Sequence, residues 1–167
     1  DRIQSNPGSG TIPHNVHVDG NFLITSYYRD GTTVHDISHP NNMIQVAYYD
    51  SYAGSGDGFD GCWGTYPFFP SGIIISSEIN SGSNQSAKLM IYERGFAQAC
   101  YLEGRIIDAN GNSLSGASIV ILNTVLPNNS SSNLLGKYVS GTADSATYEV
   151  VFSKPGYIND TLQATLL

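Results

Sequence analysis

The chain has 167 residues, with 14 acidic side chains against 7 basic ones and a formal charge of −7. That length suits one ordinary domain or two small ones. A balance this acidic leaves no basic face to neutralise a phosphate backbone or an anionic lipid surface, so no nucleic acid is expected as a partner. Only 13% of the residues are charged. Ser, Asn, Thr and Gly supply the remaining polarity, as in many secreted β proteins, and the expected location is extracellular or at the cell surface. No apolar run approaches the roughly 18 residues that cross a bilayer as a helix, so no membrane span is expected. The first ten residues have neither a basic n-region nor an apolar h-region, so the chain reads as a mature or processed piece whose signal peptide was removed.

Period-2 alternation and turn dipeptides dominate, and no stretch of ten residues carries the i, i+3, i+4, i+7 pattern of an amphipathic helix, which predicts an all-β fold. Strands are expected over residues 16–18 and 22–28, separated by Asp19-Gly20-Asn21, and again after Arg29-Asp30-Gly31 over residues 32–37. Asp-Gly between alternating apolar runs is a strong hairpin signal. Residues 43–49 complete a four-stranded meander after the turn at His39-Pro40-Asn41-Asn42. Beyond the Gly-rich loop 51–61, residues 62–69, 73–79 and 88–93 predict a second, shorter meander, with a polar loop over 80–86. Two successive antiparallel units of this size resemble neighbouring propeller blades. Residues 95–100 read as a linker. A further series over 101–108, 117–123, 137–141, 147–153 and 160–166, with 127–133 as a polar loop, predicts a small β-sandwich. Ile106, Ile119, Ile121, Val150 and Phe152 lie at period-2 positions of these runs and are expected inside it.

Two family resemblances carry more detail. His14-Asn15-Val16-His17-Val18, Val34-His35-Asp36-Ile37-Ser38, Ala47-Tyr48-Tyr49-Asp50, Phe59-Asp60-Gly61-Cys62-Trp63-Gly64 and Tyr66-Pro67-Phe68-Phe69-Pro70-Ser71-Gly72 resemble the last blades of the LVIVD-repeat propellers called choice-of-anchor B proteins. The resemblance covers residues 1–94 and implies an extracellular β-propeller scaffold with no known reaction. Leu102-Glu103-Gly104-Arg105-Ile106-Ile107-Asp108-Ala109-Asn110-Gly111-Asn112, Leu114-Ser115-Gly116-Ala117-Ser118-Ile119-Val120-Ile121 and Tyr148–Tyr157 are similar to the carboxypeptidase regulatory-like domain. That resemblance covers residues 101–167 and implies a transthyretin-like sandwich that accompanies enzymes, adhesins and transporters without catalysing anything itself. The tandem order resembles secreted proteins of Bacteroidota.

Candidate chemistry is sparse. Asp50, Asp57 and Asp60 lie in a glycine-rich loop, and hard oxygen ligands on a flexible loop suit Ca²⁺. The loop lacks the EF-hand spacing and its closing Glu, so the competing reading is a plain connection between blades, and no other cofactor is expected. His14, His17, His35 and Asp36 are metal-ligand types, but residues three apart on a strand point to opposite faces, which argues against joint ligation. One disulfide between Cys62 and Cys100 is allowed in an oxidising compartment, with two unpaired thiols slightly favoured. No Gly-x-Ser-x-Gly elbow stands between a strand and a helix, and no enzyme is expected. Eleven tyrosines offer surfaces for sugars or partner proteins, although adjacent ones, as in Tyr27-Tyr28 and Tyr48-Tyr49, should point to opposite faces.

Asp144-Ser145-Ala146 and Asp160-Thr161-Leu162 fit the Asp-Ser/Thr-apolar O-glycan pattern of the Bacteroidota that the resemblance implies, which marks Ser145 and Thr161 for covalent glycans. Asn84-Gln85-Ser86, Asn128-Asn129-Ser130, Asn129-Ser130-Ser131 and Asn159-Asp160-Thr161 match the shorter N-glycan sequon.

A propeller needs at least four blades, and material for about two is present. Unclosed blades leave unpaired strand edges. The expected function is therefore a non-catalytic extracellular structural protein that pairs through those edges with copies of itself, as a filament or surface-assembly subunit, or with the missing part of a larger protein. The alternative is an adhesive or carbohydrate-binding module of a larger secreted protein.

Overall fold

The computed structural model describes residues 5, 9–54, 56–80, 86–126 and 128–167. Among them are thirteen antiparallel strands and no helix, and no barrel is closed. The chain divides into two units, Asp1–Ala97 and Gln98–Leu167, inside the stretch read as a linker.

In the first unit, β1 (Asn15–Asp19), β2 (Phe22–Ser26), β3 (Thr32–Asp36) and β4 (Ile44–Tyr49) form a meander in sequence order. Gly20 and Asn21 alone join β1 to β2, with Asp19 opposite Phe22. Gly20 has φ 59°, and Gly first in a two-residue loop matches the twist of the flanking strands. The turn into β3 brings Gly31, at φ 77°, so close to the Tyr49 carbonyl that a Cβ there would overlap it. A second meander follows: β5 (Gly61–Tyr66), β6 (Ile74–Ile79) and β7 (Lys88–Tyr92).

These two sheets pack face to face. Register places Ile24 and Val34 on one face of the first sheet, and on that same side Thr32 Oγ1 meets Cys62 Sγ at 3.3 Å and the Tyr49 and Tyr92 rings meet at 5.5 Å, tilted by 50°. Cys62, Ile74, Ser76 and Glu78 are the buried face of the second sheet. Tyr27 and Tyr28 are both buried. The strand expected to run through them stops at Ser26, and Tyr28 adopts φ 40°, so the alternation that should separate their side chains no longer applies. Past β7, Arg94 reaches back over the unit: Nε donates to Gly72 O at 3.0 Å, Nη2 donates to Pro67 O at 2.6 Å, and the guanidinium pairs with Asp19.

The second unit contains β8 (Cys100–Arg105), β9 (Ser118–Ile121), β10 (Asn129–Ser131), β11 (Lys137–Thr142), β12 (Ala146–Ser153) and β13 (Asp160–Leu166). One sheet has the order β10-β9-β12-β13 and the other is the pair β11-β8. Val150 lies opposite Ile121, and Phe152 opposite Ile119. Ile119, Ile121, Val150, Cys100 and Leu166 form the core, with Ile106, Tyr138 and Phe152 half-buried against it, so all five residues expected inside belong to it. Burying each large aliphatic side chain contributes about 1.5–3 kcal/mol. The polar stretch 127–133 was expected to be a loop, but it contains β10, which pairs at the sheet edge with residues 118–120. Asn-Ser-Ser has little strand propensity of its own, and the ladder to β9 imposes the conformation.

Candidate functional site

The outer side of the second sheet of the first unit exposes a run of apolar side chains. Register puts Tyr66, Ile75 and Ile91 in one row, and Gly64, Ser77 and Leu89 in the next. Leu89 and Ile91 are 63% and 64% exposed, and among the described residues β7 pairs with β6 alone. The backbone groups on the far side of β7 therefore form an edge flanked by apolar side chains, a template for another strand. Aromatic rings continue this surface around β5. His14 lies 4.8 Å from the Trp63 ring, His17 is edge-on to Phe68 at 5.5 Å, and Tyr66 is edge-on to Phe68 and Phe69 at 5.5 and 5.1 Å. Trp63 is 46% exposed because the ladder slips between Cys62 and Gly64, and such a bulge re-aims a side chain.

The acidic loop is organised by cations and turns. Asp60 pairs with Arg29, accepts from Asn80 Nδ2 at 3.2 Å, and titrates below its ordinary range chiefly because of the Arg29 hydrogen bond. Arg29 in turn lies 4.8 Å over the Tyr52 ring. Asp50 accepts from Tyr52 N at 2.8 Å, and its carboxyl is pushed up, first by burial and further by Asp30 and Glu78. Among the described residues no three His, Cys, Asp or Glu side chains are grouped to hold a metal ion. Asp50, Asp57 and Asp60 are thus not brought together as a Ca²⁺ cage. The physical reason is that Asp60 turns to Arg29 while Asp50 caps its own turn.

The histidines are dispersed as well. His14 and His17 face aromatic rings. His35 is 3% exposed with no hydrogen-bond partner for Nδ1, and burial lowers its pKa to about 4. Its neighbour Asp36 is buried on the opposite face of β3, where it accepts from Ser38 N at 2.8 Å and Ser38 Oγ at 2.6 Å.

Both cysteines are free and buried, so the bridge allowed between Cys62 and Cys100 is not formed. Each lies within the interior of its own unit. Desolvation pushes the Cys62 thiol up to about 12, and Cys100 is also raised by burial. Beside Cys62 runs a polar chain that the sequence reading missed. Glu78, fully buried, accepts from Ser51 Oγ and, at 3.1 Å, from Ser76 Oγ. With the Ser76 proton committed there, Tyr92 is left to donate to Ser76 Oγ at 2.9 Å. Alternation held no signal for this, because Ile74, Ser76 and Glu78 share one face and Ile75, Ser77 and Ile79 the other.

Ser145 and Thr161 are both exposed, Ser145 between β11 and β12 and Thr161 on edge strand β13. Of the N-glycan sequons, Asn84 and Gln85 lie outside the described residues; so do Ser55 of the glycine-rich loop and Pro127 of the polar stretch 127–133. Asn128 is committed on both sides of its amide, accepting from Ile121 N of β9 at 2.9 Å and donating from Nδ2 to Thr124 Oγ1 at 2.5 Å. The chain matches no family model, no curated protein and no solved structure.

Proposed function

We propose that this chain is a non-catalytic extracellular structural module that self-associates through open strand edges, as a filament or surface-assembly subunit. The observation that carries the reading is β7, an edge strand whose Leu89 and Ile91 are largely exposed on an apolar sheet face. Several backbone hydrogen bonds at about 0.5–1.5 kcal/mol net each, with apolar burial added, are enough for stable association. The resemblance of residues 1–94 to terminal propeller blades supports it, since such blades close against neighbours. The non-catalytic reading draws on the groups a reaction would recruit: the Cys62 thiol stays protonated at neutral pH, and Glu78 is occupied by two serines. Exposed Ser145 and Thr161 suit covalent glycans, and hexose additions on their peptides in native material would support an extracellular location.

The test is sedimentation of the wild-type chain and Ile91→Lys over a concentration series. A charge on the edge opposes pairing while keeping the backbone donor. The wild type should associate with rising concentration, and the variant should stay monomeric with the same β-type spectrum. A wild type that stays monomeric at high concentration, with both meanders protected from hydrogen exchange, overturns the proposal. That outcome favours the second reading, an adhesive or carbohydrate-binding module, whose specific support is the exposed aromatic row Trp63, Tyr66, Phe68 and Phe69.

A further inference from the structure

The second unit contains a cleft of about 630 Å³, within the roughly 300–1,000 Å³ of sites that take small organic ligands. It exists because only two strands, β11 and β8, face a sheet of four. Side chains fill the interior around Cys100, Ile121, Val150 and Leu166. Toward the other end, Ile106, Leu114, Tyr138, Phe152, Tyr157 and Leu162 line an opening.

Two cations line the same cleft, Arg105 and Lys154. Arg105 Nε donates to Leu135 O at 3.1 Å and Nη2 donates to Ser113 Oγ at 2.6 Å, and Lys154 Nζ donates to Ser115 O. These partners are neutral. They fix both side chains, neither of which forms an ion pair with a carboxylate among the described residues, and leave several N–H donors unused, since a guanidinium has five and an ammonium three. The cleft also has two acids. The Asp108 carboxylate is already taken by Asn110 N at 2.9 Å, Asn112 N at 2.8 Å and Asn112 Nδ2 at 3.0 Å, which leaves Asp160 as the one acid there without such a set of donors.

We propose that this cleft binds a small amphipathic anion, its apolar acyl or aryl body between Ile106, Phe152 and Leu162 and its carboxylate held by Arg105 and Lys154. An apolar body alone would leave two fixed cations unpaired at the mouth. An anion alone would leave the apolar lining wet. The required ligand therefore joins the two, and the Nη1–Nη2 end of Arg105, which Leu135 and Ser113 leave open, can grip a carboxylate through two parallel bonds.

The test is an NMR titration of the full chain with octanoate and, separately, with octanol, which has the same chain length and no charge. Octanoate should shift the resonances of Ile106, Phe152 and Leu162, and octanol should bind about tenfold more weakly, the difference expected for losing a charge-assisted hydrogen bond. The double variant Arg105→Gln/Lys154→Gln should lose about the same factor for octanoate and none for octanol. No shift at these residues, equal binding of the two probes, or a double variant that binds octanoate as the wild type does would each overturn the proposal. If the double variant does not fold, the comparison of the two probes on the wild type decides alone. Shifts at the same residues that follow protein concentration without any probe would overturn it in favour of a contact between copies.

Discussion

Tyr28 and Cys62 are joined backbone to backbone across the two sheets of the first unit: Tyr28 N donates to Cys62 O at 3.1 Å, and Cys62 N donates to Tyr28 O at 2.8 Å. This isolated bridge joins Tyr28, just past the end of β2, to Cys62 within β5, and it ties the first meander to the second at the point where the chain leaves β2.

The bridge depends on Gly61. It sits at φ 88°, and a Cβ there would overlap the Tyr28 carbonyl oxygen. Gly61→Ala should therefore destabilise the first unit by on the order of 3 kcal/mol, combining left-handed strain with overpacking. Gly72 has φ 78° with open space around its Cβ position, so Gly72→Ala should cost only about 1 kcal/mol. Urea unfolding followed by the single Trp, which belongs to this unit, measures both. Equal losses would mean that the bridge contributes nothing.

The buried His35 makes the first unit acid-sensitive. Its pKa falls from 6.5 to about 4 on folding, so the unfolded chain binds the proton more tightly. The contribution is fully present above pH 6.5 and declines as pH drops toward 4, amounting to about 3 kcal/mol. The difference in stability between wild type and His35→Leu, measured at pH 7.5 and at pH 4.5, should change by most of that amount. A pH-independent difference would contradict the burial of the imidazole.

Thiol chemistry offers a third check. With Cys62 held near 12 and Cys100 raised, neither supplies much thiolate at neutral pH. An aromatic disulfide reagent should react slowly with the native chain and should titrate two thiols in denaturant, without any reductant. Fewer than two after denaturation would reveal a bridge.

The core of the second unit should behave as an independent structure. Ile119 is fully buried at its centre, so Ile119→Ala in a segment of residues 98–167 should cost about 2–5 kcal/mol. Calorimetry of the segment should show one cooperative transition that moves down in the variant. A wild-type segment with no transition would show that the unit does not fold alone.

Alternation and turn dipeptides made the two meanders legible, and the spacing of Ile119 and Ile121 and of Val150 and Phe152 made the inward faces of β9 and β12 legible, even though Val120 and Val151 lie between them. Legibility failed where tertiary context outweighed local preference. Asn129–Ser131 is a strand only because β9 offers a ladder. Tyr28 leaves its strand to meet Cys62. The Ser51, Glu78, Ser76 and Tyr92 chain is assembled from residues 51 to 92, and no local window contains it. The cleft between Ile106 and Leu162 was hidden for a different reason: it arises from a mismatch in strand number between two sheets, which no single strand encodes.

Arg94 gives the first unit a mechanical property. Its side chain holds Gly72 and Pro67 from the connection between β5 and β6, and Asp19 at the end of β1. Tension applied to the chain beyond residue 94 would therefore not simply peel β7 away from β6, one hydrogen bond at a time. The guanidinium would transmit the load to both sheets together, and the unit would yield only after that clasp had opened.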